Sequence, residues 1–473
     1  MKEYSFLING EWRTSERTLA VRSPYNGALA GTVYLASERD IEDALDASVT
    51  AFAEMRSAPT FKRVQWLENI LVGLKNERDS LAELMTRESG KPITFARAEV
   101  DRAIFTFEIA VEEARRIGGE VLPLDLAIHS KSRIGIVKRF PIGPVAAITP
   151  FNFPLNLVAH KLAPAFAVGN PVILKPSSQA PLTAIAFAKI VHESGLPRGA
   201  LNVIPCPSSE AEKIVTDERT KAVSFTGSPE VGWHLKSLAG RKRVLLELGG
   251  NAAAVIEPDA DLDFAIYRLA LGSFGNAGQS CIAVQRIYVA QEIFSTFLDR
   301  FVEETRRLKV GDPFDRETIV GPMISEEAAR KVEGWIEEAI REGANLLLGG
   351  KRSGAMLEPT ILTNTKPSMK VNAKEVFAPL VTIEPYDSFE EAIDRVNDSV
   401  YGLQAGVFTN DLRKIFYAYE RLEVGGVIIN DYPTYRIDHM PYGGVKLSGF
   451  GREGVRYAIE EMTEPKLLVL NLS

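Results

Sequence analysis

With 473 residues, 45% of them hydrophobic, the chain is long enough for about two or three domains and can bury large cores. Its net charge of −7, with Lys and Arg scattered rather than blocked, speaks against a nucleic-acid partner. Two distant cysteines, Cys206 and Cys281, exclude a disulfide framework and a zinc pattern and fit a reducing compartment. No apolar run reaches membrane-spanning length and the first residues lack the regions of a signal peptide, so a soluble, cytoplasmic protein with no membrane partner is expected.

In chain order, Phe6-Leu7-Ile8-Asn9-Gly10-Glu11-Trp12 reads as a short strand and turn, its Asn-Gly pair marking a hairpin. Residues 37–56 and 60–89 carry helical periodicity, with Ser37 as N-cap and Gly90-Lys91-Pro92 as a stop. A third helix spans residues 93–117 and ends at Gly118-Gly119. Residues 132–140 alternate as a strand does, between two loop signals, and read as a hairpin arm standing off the main body. From Gly143 onward short apolar strands (145–149, 171–175, 201–204, 222–225, 244–246) alternate with helices, among them 182–194, 210–215 and 229–238. That pattern means a parallel sheet covered on both faces, an architecture that often binds nucleotides. A second α/β series runs over residues 251–431, with strands at 252–256, 286–289, 346–348, 381–383 and 427–429, and residues 464–472 form a last strand. Gly249-Gly250 marks the boundary between the two halves, and clefts at such boundaries are where small-molecule sites form.

Two stretches on either side of that boundary carry chemistry. Cys281 follows a loop of small residues, Gly272-Ser273-Phe274-Gly275-Asn276-Ala277-Gly278, which lets a ligand approach the backbone closely, and the apolar run after it reads as the start of a buried element. The alternative is a buried cysteine acting as a small hydrophobe. Leu245-Leu246-Glu247-Leu248-Gly249-Gly250 puts one carboxylate at an apolar strand end, where a raised pKa would make it a usable base. A thiol, a base and an open loop together suggest covalent catalysis. Gly449-Phe450-Gly451-Arg452-Glu453-Gly454 satisfies G-x-G-x-x-G and enters a helix, but has no buried strand before it and reads as a loop, so the dinucleotide fingerprint is discarded. Phe225-Thr226-Gly227-Ser228-Pro229 is the better phosphate cradle, a strand end followed by a helix with Pro in its first turn; an ordinary capped helix is the alternative. The five histidines, His129, His160, His192, His234 and His439, show no metal-ligand spacing and read as structural; no metal site is expected.

Seven motifs in order complete the picture: Pro150-Phe151-Asn152-Phe153-Pro154, Leu174-Lys175-Pro176-Ser177, Phe225-Thr226-Gly227-Ser228, Glu247-Leu248-Gly249-Gly250, Gly278-Gln279-Ser280-Cys281, Lys374-Glu375-Val376-Phe377-Ala378-Pro379 and Pro441-Tyr442-Gly443-Gly444-Val445-Lys446. In these the chain resembles the NAD(P)-dependent aldehyde dehydrogenases, from Phe6 to about Leu470. The resemblance implies an α/β fold: a Rossmann-like cofactor domain (1–122 and 142–248), a second α/β catalytic domain (249–445) and a small β bridging, oligomerisation element (123–141 and 446–473). It implies a homodimer or homotetramer in which the arm pairs with a neighbour's edge, as an unpaired strand edge would also favour. It implies Cys281 as nucleophile, Glu247 as general base and Asn152 as the side-chain half of an oxyanion hole. It further implies NADP and/or NAD as cofactor, with Ile148, Thr149, Pro150, Phe151, Lys175, Ser177, Ser178, Gly227, Ser228, Leu248, Gly249, Glu375 and Phe377 around it. Lys175 would bind the adenine-side ribose and Glu375 the nicotinamide ribose. Read without the family, Asn152 would be a turn former, Lys175 a solvated strand end and Glu375 a surface helix residue.

The resemblance also bears on substrate. Tyr435-Arg436-Ile437-Asp438-His439-Met440 lies where the family lines the substrate mouth, and Arg102 on the third helix faces it. An arginine suits a carboxylate, phosphate or sulfonate; ion pairs with Asp438 or Glu99 are the alternative. Arg102, Ser280 and Arg436 are thus the candidate substrate residues, and the stretch resembles members acting on lactaldehyde, succinate semialdehyde, glyceraldehyde 3-phosphate or phosphonoacetaldehyde. Phosphate-aldehyde branches often carry Arg immediately before the cysteine; Ser280 stands there instead, which speaks against a doubly charged phosphate. Lys175-Pro176-Ser177-Ser178 has serine where many NAD-preferring relatives have a glutamate that repels the 2′-phosphate of NADP, so NADP is expected to be accepted. In the alternative, Ser178 only caps the helix beginning near Pro181. A coenzyme A-dependent acylating enzyme and a catalytically inactive homologue are the competing readings; Glu247 speaks against the first and the presence of Cys281, Glu247 and Asn152 against the second.

Overall fold

The structure is a computed structural model and describes residues 2–472. Among these residues two large sheets organise the chain. In the first, the parallel strands stand in the order Leu201–Val203, Val172–Lys175, Val145–Ile148, Ala222–Thr226, Arg243–Glu247. Every residue of these strands is buried except Arg243 at the start of the last, because helices cover both faces, which is why they read as continuous apolar runs. The chain order reverses between Val145–Ile148 and Ala222–Thr226, so a crevice opens beyond the carboxyl ends of those two strands. The second sheet has the order Asn345–Leu348, Thr360–Thr363, Leu380–Tyr386, Arg286–Ala290, Ala253–Ile256, Gln404–Phe408, Gly426–Ile429, with the first strand antiparallel.

The amino-terminal helices pack over the first sheet. Ser37 caps Glu38–Met55 in a reciprocal box with Asp40. The stretch expected as one helix over residues 60–89 is two, Thr60–Asn76 and Arg78–Ser89, because Glu77 leaves the helical region at φ −97°, ψ 14°. Gly90, at φ +71°, then ends the second as the stop signal requires. Helix Ile93–Arg116 lies against Asn156–Val168, a helix in which every residue is buried. Phe107 and Phe187 meet edge to face at 5.7 Å in this core.

A third, three-stranded sheet stands apart: Gly119–Pro123, Arg133–Pro141 and Thr463–Asn471, all antiparallel. It contains the arm and the last strand, but its boundaries differ from the expected ones. It begins at Gly119, and among the described residues from 446 onward only Thr463–Asn471 joins it. Gly449–Phe450, expected as a loop, is a short antiparallel strand on the edge of the first sheet beside Glu247. Val455–Glu461 packs on Asn156–Val168.

Candidate active site

The crevice between the two large sheets is a cavity of about 510 Å³. Among its lining residues are Pro150, Phe151 and Asn152 beyond the first switch-point strand, Thr226, Gly227 and Ser228 beyond the second, and Glu247, Leu248 and Gly249 beyond the third. Ser280, Cys281, Glu375 and Phe377 line it from the catalytic half, and Arg102, Arg436 and Tyr442 complete it. Sequence reading thus brings its three catalytic candidates into one space.

The backbone before Cys281 is strained. Asn276 and Ala277 sit at φ +52° and +55°, the left-handed region that side chains disfavour. Gly278 follows at φ +65°, where a Cβ would lie 2.2 Å from the Ala378 carbonyl oxygen, so only glycine fits the tight approach. The run after Cys281 is first a turn; the buried strand begins at Arg286. Cys281 keeps partial solvent access, yet its surroundings push the thiol up to about 12: burial is the main cause, and the Tyr442 hydroxyl at 3.0 Å from Sγ opposes it.

Glu247 ends its strand fully enclosed, and neither carboxylate oxygen has a hydrogen-bond partner. Its pKa is raised well above the usual range, first by burial and then by the like charge of Glu453. A buried carboxylate without a partner that faces a cavity is able to accept a proton from a group in that cavity. Asn152 Nδ2 donates to the Gln279 carbonyl at 3.1 Å while its Oδ1 is unpartnered. The side chain therefore reaches across to the cysteine loop rather than serving its own turn.

Behind these groups lies a charge network of which sequence reading offered only the Arg102–Asp438 pair, as an alternative. Lys161 Nζ donates to Ser224 Oγ, Thr226 Oγ1 and Glu453 Oε1 at 3.1, 2.8 and 3.2 Å. Arg436 Nη2 donates to Glu453 Oε2 at 3.0 Å, so one carboxylate, held down to about 2, serves two buried cations. Asp438 takes a two-pronged bond from Arg102 at 2.6 and 3.1 Å and lies 2.8 Å from His160 Nε2, which must donate because a carboxylate only accepts. These contacts hold Asp438 far below the usual carboxylate range against the opposing effect of its burial. Lys91 pairs with Glu99. The signal was present: His160-Lys161 interrupts the run Leu157-Val158-Ala159 and Leu162-Ala163, and polar pairs inside an all-apolar helix are buried and must be partnered.

Arg102 and Arg436 both line the cavity and both are ion-paired. Arg102 takes Asp438 as one alternative foresaw, whereas Arg436 takes Glu453. The Arg436 side chain is only 7% exposed, its guanidinium stacks 3.6 Å over the Tyr442 ring, and its Nε has no partner.

On the cofactor side, Lys175 is buried at its strand end, which lowers its pKa, and its ammonium makes no hydrogen bond or ion pair among the described residues. Ser177 Oγ accepts from Gln179 N at 3.2 Å. Ser178 does not cap the following helix: Pro181 holds the cap position without a side-chain bond, and the Glu88 carboxylate accepts from Leu182 and Thr183 N at 2.7 and 2.9 Å. Ser228 caps Pro229–Leu238 and itself lines the cavity. Glu375 lies in a loop, not on a helix face; its Oε1 accepts from Gly250 N at 3.0 Å, and a Cβ on Gly249 would meet Oε2 at 2.2 Å. Phe377, at φ +53°, meets Phe151 edge to face at 5.9 Å.

A family model described as the aldehyde dehydrogenase family matches residues 12–468. The chain is 46% identical to the 3-sulfolactaldehyde dehydrogenase of Priestia megaterium, over 100% of this chain and 99% of that one. Among solved structures, aldehyde dehydrogenase 21 of Physcomitrella patens in complex with the reaction product succinate has a TM-score of 0.98 and 45% identity, covering 99% of this chain and 98% of that chain. Glyceraldehyde-3-phosphate dehydrogenase GapN of Methanocaldococcus jannaschii complexed with NADP has a TM-score of 0.93 and 41% identity, covering 97% and 100%. The chain belongs to the aldehyde dehydrogenase family: it is an α/β oxidoreductase that oxidises aldehydes with NAD(P). The residues present fit that cofactor: a helix N-terminus capped by Ser228 and a carboxylate pressed on a glycine lie at the crevice where dinucleotides bind, and an unpartnered buried ammonium, Lys175, ends a neighbouring strand of the same sheet. Among the described residues no group of acidic, His and Cys side chains could hold a metal.

Proposed function

We propose that the chain oxidises a short aldehyde bearing a singly charged anionic group, with or without a hydroxyl beside the aldehyde, and that it accepts NADP alongside NAD. One observation carries the substrate reading: a buried guanidinium, Arg436, with an unpartnered Nε faces the nucleophile's cavity. The surrounding charges support it. Lys91, Arg102, Lys161 and Arg436 share only three paired carboxylates, Glu99, Asp438 and Glu453, so this group of ion pairs has more cations than anions. Ser280 puts a neutral hydroxyl next to the nucleophile, which favours a carboxylate or sulfonate over a doubly charged phosphate. The names of the relatives agree in kind: one acts on a sulfonated lactaldehyde and another was seen with succinate.

In the reaction so read, the Cys281 thiolate attacks the aldehyde carbon, and the oxyanion is received by Asn152 Nδ2 and the Cys281 backbone N–H. A bound nicotinamide would supply the hydride acceptor. Lys175, Ser177, Ser178, Gly227, Ser228 and the loops at Ile148, Thr149, Pro150, Phe151, Leu248 and Gly249 would hold the cofactor, with Glu375 and Phe377 toward its nicotinamide half. The thioester left on Cys281 is then hydrolysed: Glu247 takes a proton from water, the oxygen bonds to the acyl carbon, the C–S bond breaks and the carboxylate leaves. The orphaned Glu247 supports water, rather than coenzyme A, as the acyl acceptor.

Arg436→Ala is expected to lower kcat/KM for anionic aldehydes by ~100-fold, as for loss of a buried charge-assisted contact, with a much smaller effect on propanal. Equal losses on both would refute the anion reading. The same kinetics run with both cofactors tests the second half of the proposal. Parent enzyme should turn over with NADP, and Ser178→Glu should depress NADP use far more than NAD use, since a carboxylate repels the 2′-phosphate at close range; equal effects, or no NADP turnover in the parent, would contradict it.

A homodimer or homotetramer is part of the same proposal. Thr463–Asn471 is the outer strand of its sheet and exposes Leu467, Leu468, Val469 and Leu470, and Gly426–Ile429 is likewise an edge strand of the second sheet. Two such edges invite pairing between copies. Sedimentation velocity at micromolar concentration should show no monomer.

A further inference from the structure

The geometry points to Tyr442 as a further catalytic residue: its phenol donates a hydrogen bond to Cys281 Sγ and holds the thiolate that attacks the aldehyde. The inference rests on the reading of Cys281 as the nucleophile. Its ground is the 3.0 Å separation of Tyr442 Oη and Cys281 Sγ in a site with no histidine or lysine bonded to the sulfur. The groups facing that sulfur do not ionise it readily. Burial opposes the thiolate, as do the Glu375 and Glu247 carboxylates, while Arg436 and the Tyr442 hydroxyl favour it.

Of the two favourable groups, only Tyr442 touches the sulfur. Arg436 spends its Nη2 on Glu453 and stacks on the face of the Tyr442 ring. The phenol itself is kept protonated, since burial and the neighbouring Cys281 raise its pKa well above the usual value. When the S–H bond breaks and its proton passes to solvent, the sulfur can only accept, so Tyr442 must be the donor.

The ring is also fixed in place. Tyr442 is buried against Ile282 and Leu403, and its backbone exchanges two hydrogen bonds with Glu453 at 3.0 and 2.6 Å. Glu453 in turn holds the Arg436 that lies on the ring. The donor therefore needs no reorganisation when the thiolate forms, which is what makes a preorganised hydrogen bond effective.

The test uses Tyr442→Phe in the full chain, which removes only the hydroxyl and keeps the ring beneath Arg436. Alkylation by iodoacetamide, followed on the Cys281 peptide by mass spectrometry, reads the thiolate without any aldehyde. Its rate constant between about pH 7 and 10 should fall roughly 10-fold, the loss expected from a charge-assisted hydrogen bond after allowance for the more basic thiolate's greater nucleophilicity. The pre-steady-state burst of reduced cofactor should slow in parallel, with NADP affinity unchanged. Replacing tyrosine by 3-fluorotyrosine, a stronger donor of the same shape, should raise the alkylation rate and keeps the test available if the phenylalanine variant does not fold. An unchanged alkylation rate in Tyr442→Phe, or a slower burst with unchanged alkylation, overturns the assignment and leaves the dehydrogenase reading standing. Failure of the parent to oxidise any aldehyde would overturn that reading while the alkylation rates still decide this one.

Discussion

Cys281→Ala is expected to lower kcat by at least ~10⁴-fold with every aldehyde, as loss of a covalent nucleophile does. The site offers no substitute. Cys206, the other cysteine, is buried at the far end of the cofactor sheet and its thiol is pushed up to about 11 by burial. The substitution should leave stability nearly unchanged, because the side chain is small and half-exposed to the cavity. Steady-state assays of the reduced cofactor at 340 nm, together with a thermal melt, check both halves. Activity near that of the parent would remove the nucleophile from the account.

Glu247→Gln separates the two halves of the reaction. The amide keeps the shape but cannot take a proton, so acylation should proceed and hydrolysis should fall by ~10²–10⁴-fold, the range of a general base. The expected record is a burst of about one reduced cofactor per active site followed by a nearly flat line. The pH profile of the parent follows from the same group. Only the ionised carboxylate is a base, and burial plus Glu453 raise the pKa at which it ionises. Hydrolysis should therefore climb with pH through a range above that of ordinary carboxylates, and Glu247→Gln should lack that climb. A burst followed by parent-like turnover would mean that another group activates the water.

The first sheet was legible in the sequence because buried parallel strands are continuous apolar runs between short loops, and all five were found within a residue or two. Gln404–Phe408 was missed although it is an interior strand of the second sheet: its Gln and Gly break the apolar run, and Gln404 is there to donate to the Pro433 and Tyr435 carbonyls. Thr360–Thr363 was missed for the same reason of polar ends. Gly449–Phe450 looked like a loop because two residues carry no periodicity, and its pairing with Leu246 and Glu247 is set by a chain segment about 200 positions away.

For the site, Cys281, Glu247 and Asn152 were legible through short motifs whose glycines and prolines leave a trace in one dimension. Of the arginine partners, Asp438 was named as an alternative and Glu453 was not. Arg102 reaches Asp438 and Arg436 reaches Glu453 only because the helix Asn156–Val168 and the carboxyl-terminal loops meet beneath the cavity. Tyr442 was quoted within one of the seven motifs, but nothing in the sequence pointed to its contact with Cys281. The 3.0 Å contact with Cys281 joins residues 161 positions apart.

The central claim, an acyl group carried on Cys281 and released by Glu247, is tested most directly by intact-mass measurement of Glu247→Gln. The variant is mixed with NADP and an anionic aldehyde, quenched in acid within seconds, and mapped by peptide. The account predicts one added acyl mass per chain, located on the peptide containing Cys281, released by hydroxylamine, and absent when the cofactor is omitted. Cofactor reduction without an adduct, or an adduct on any other residue, would contradict it.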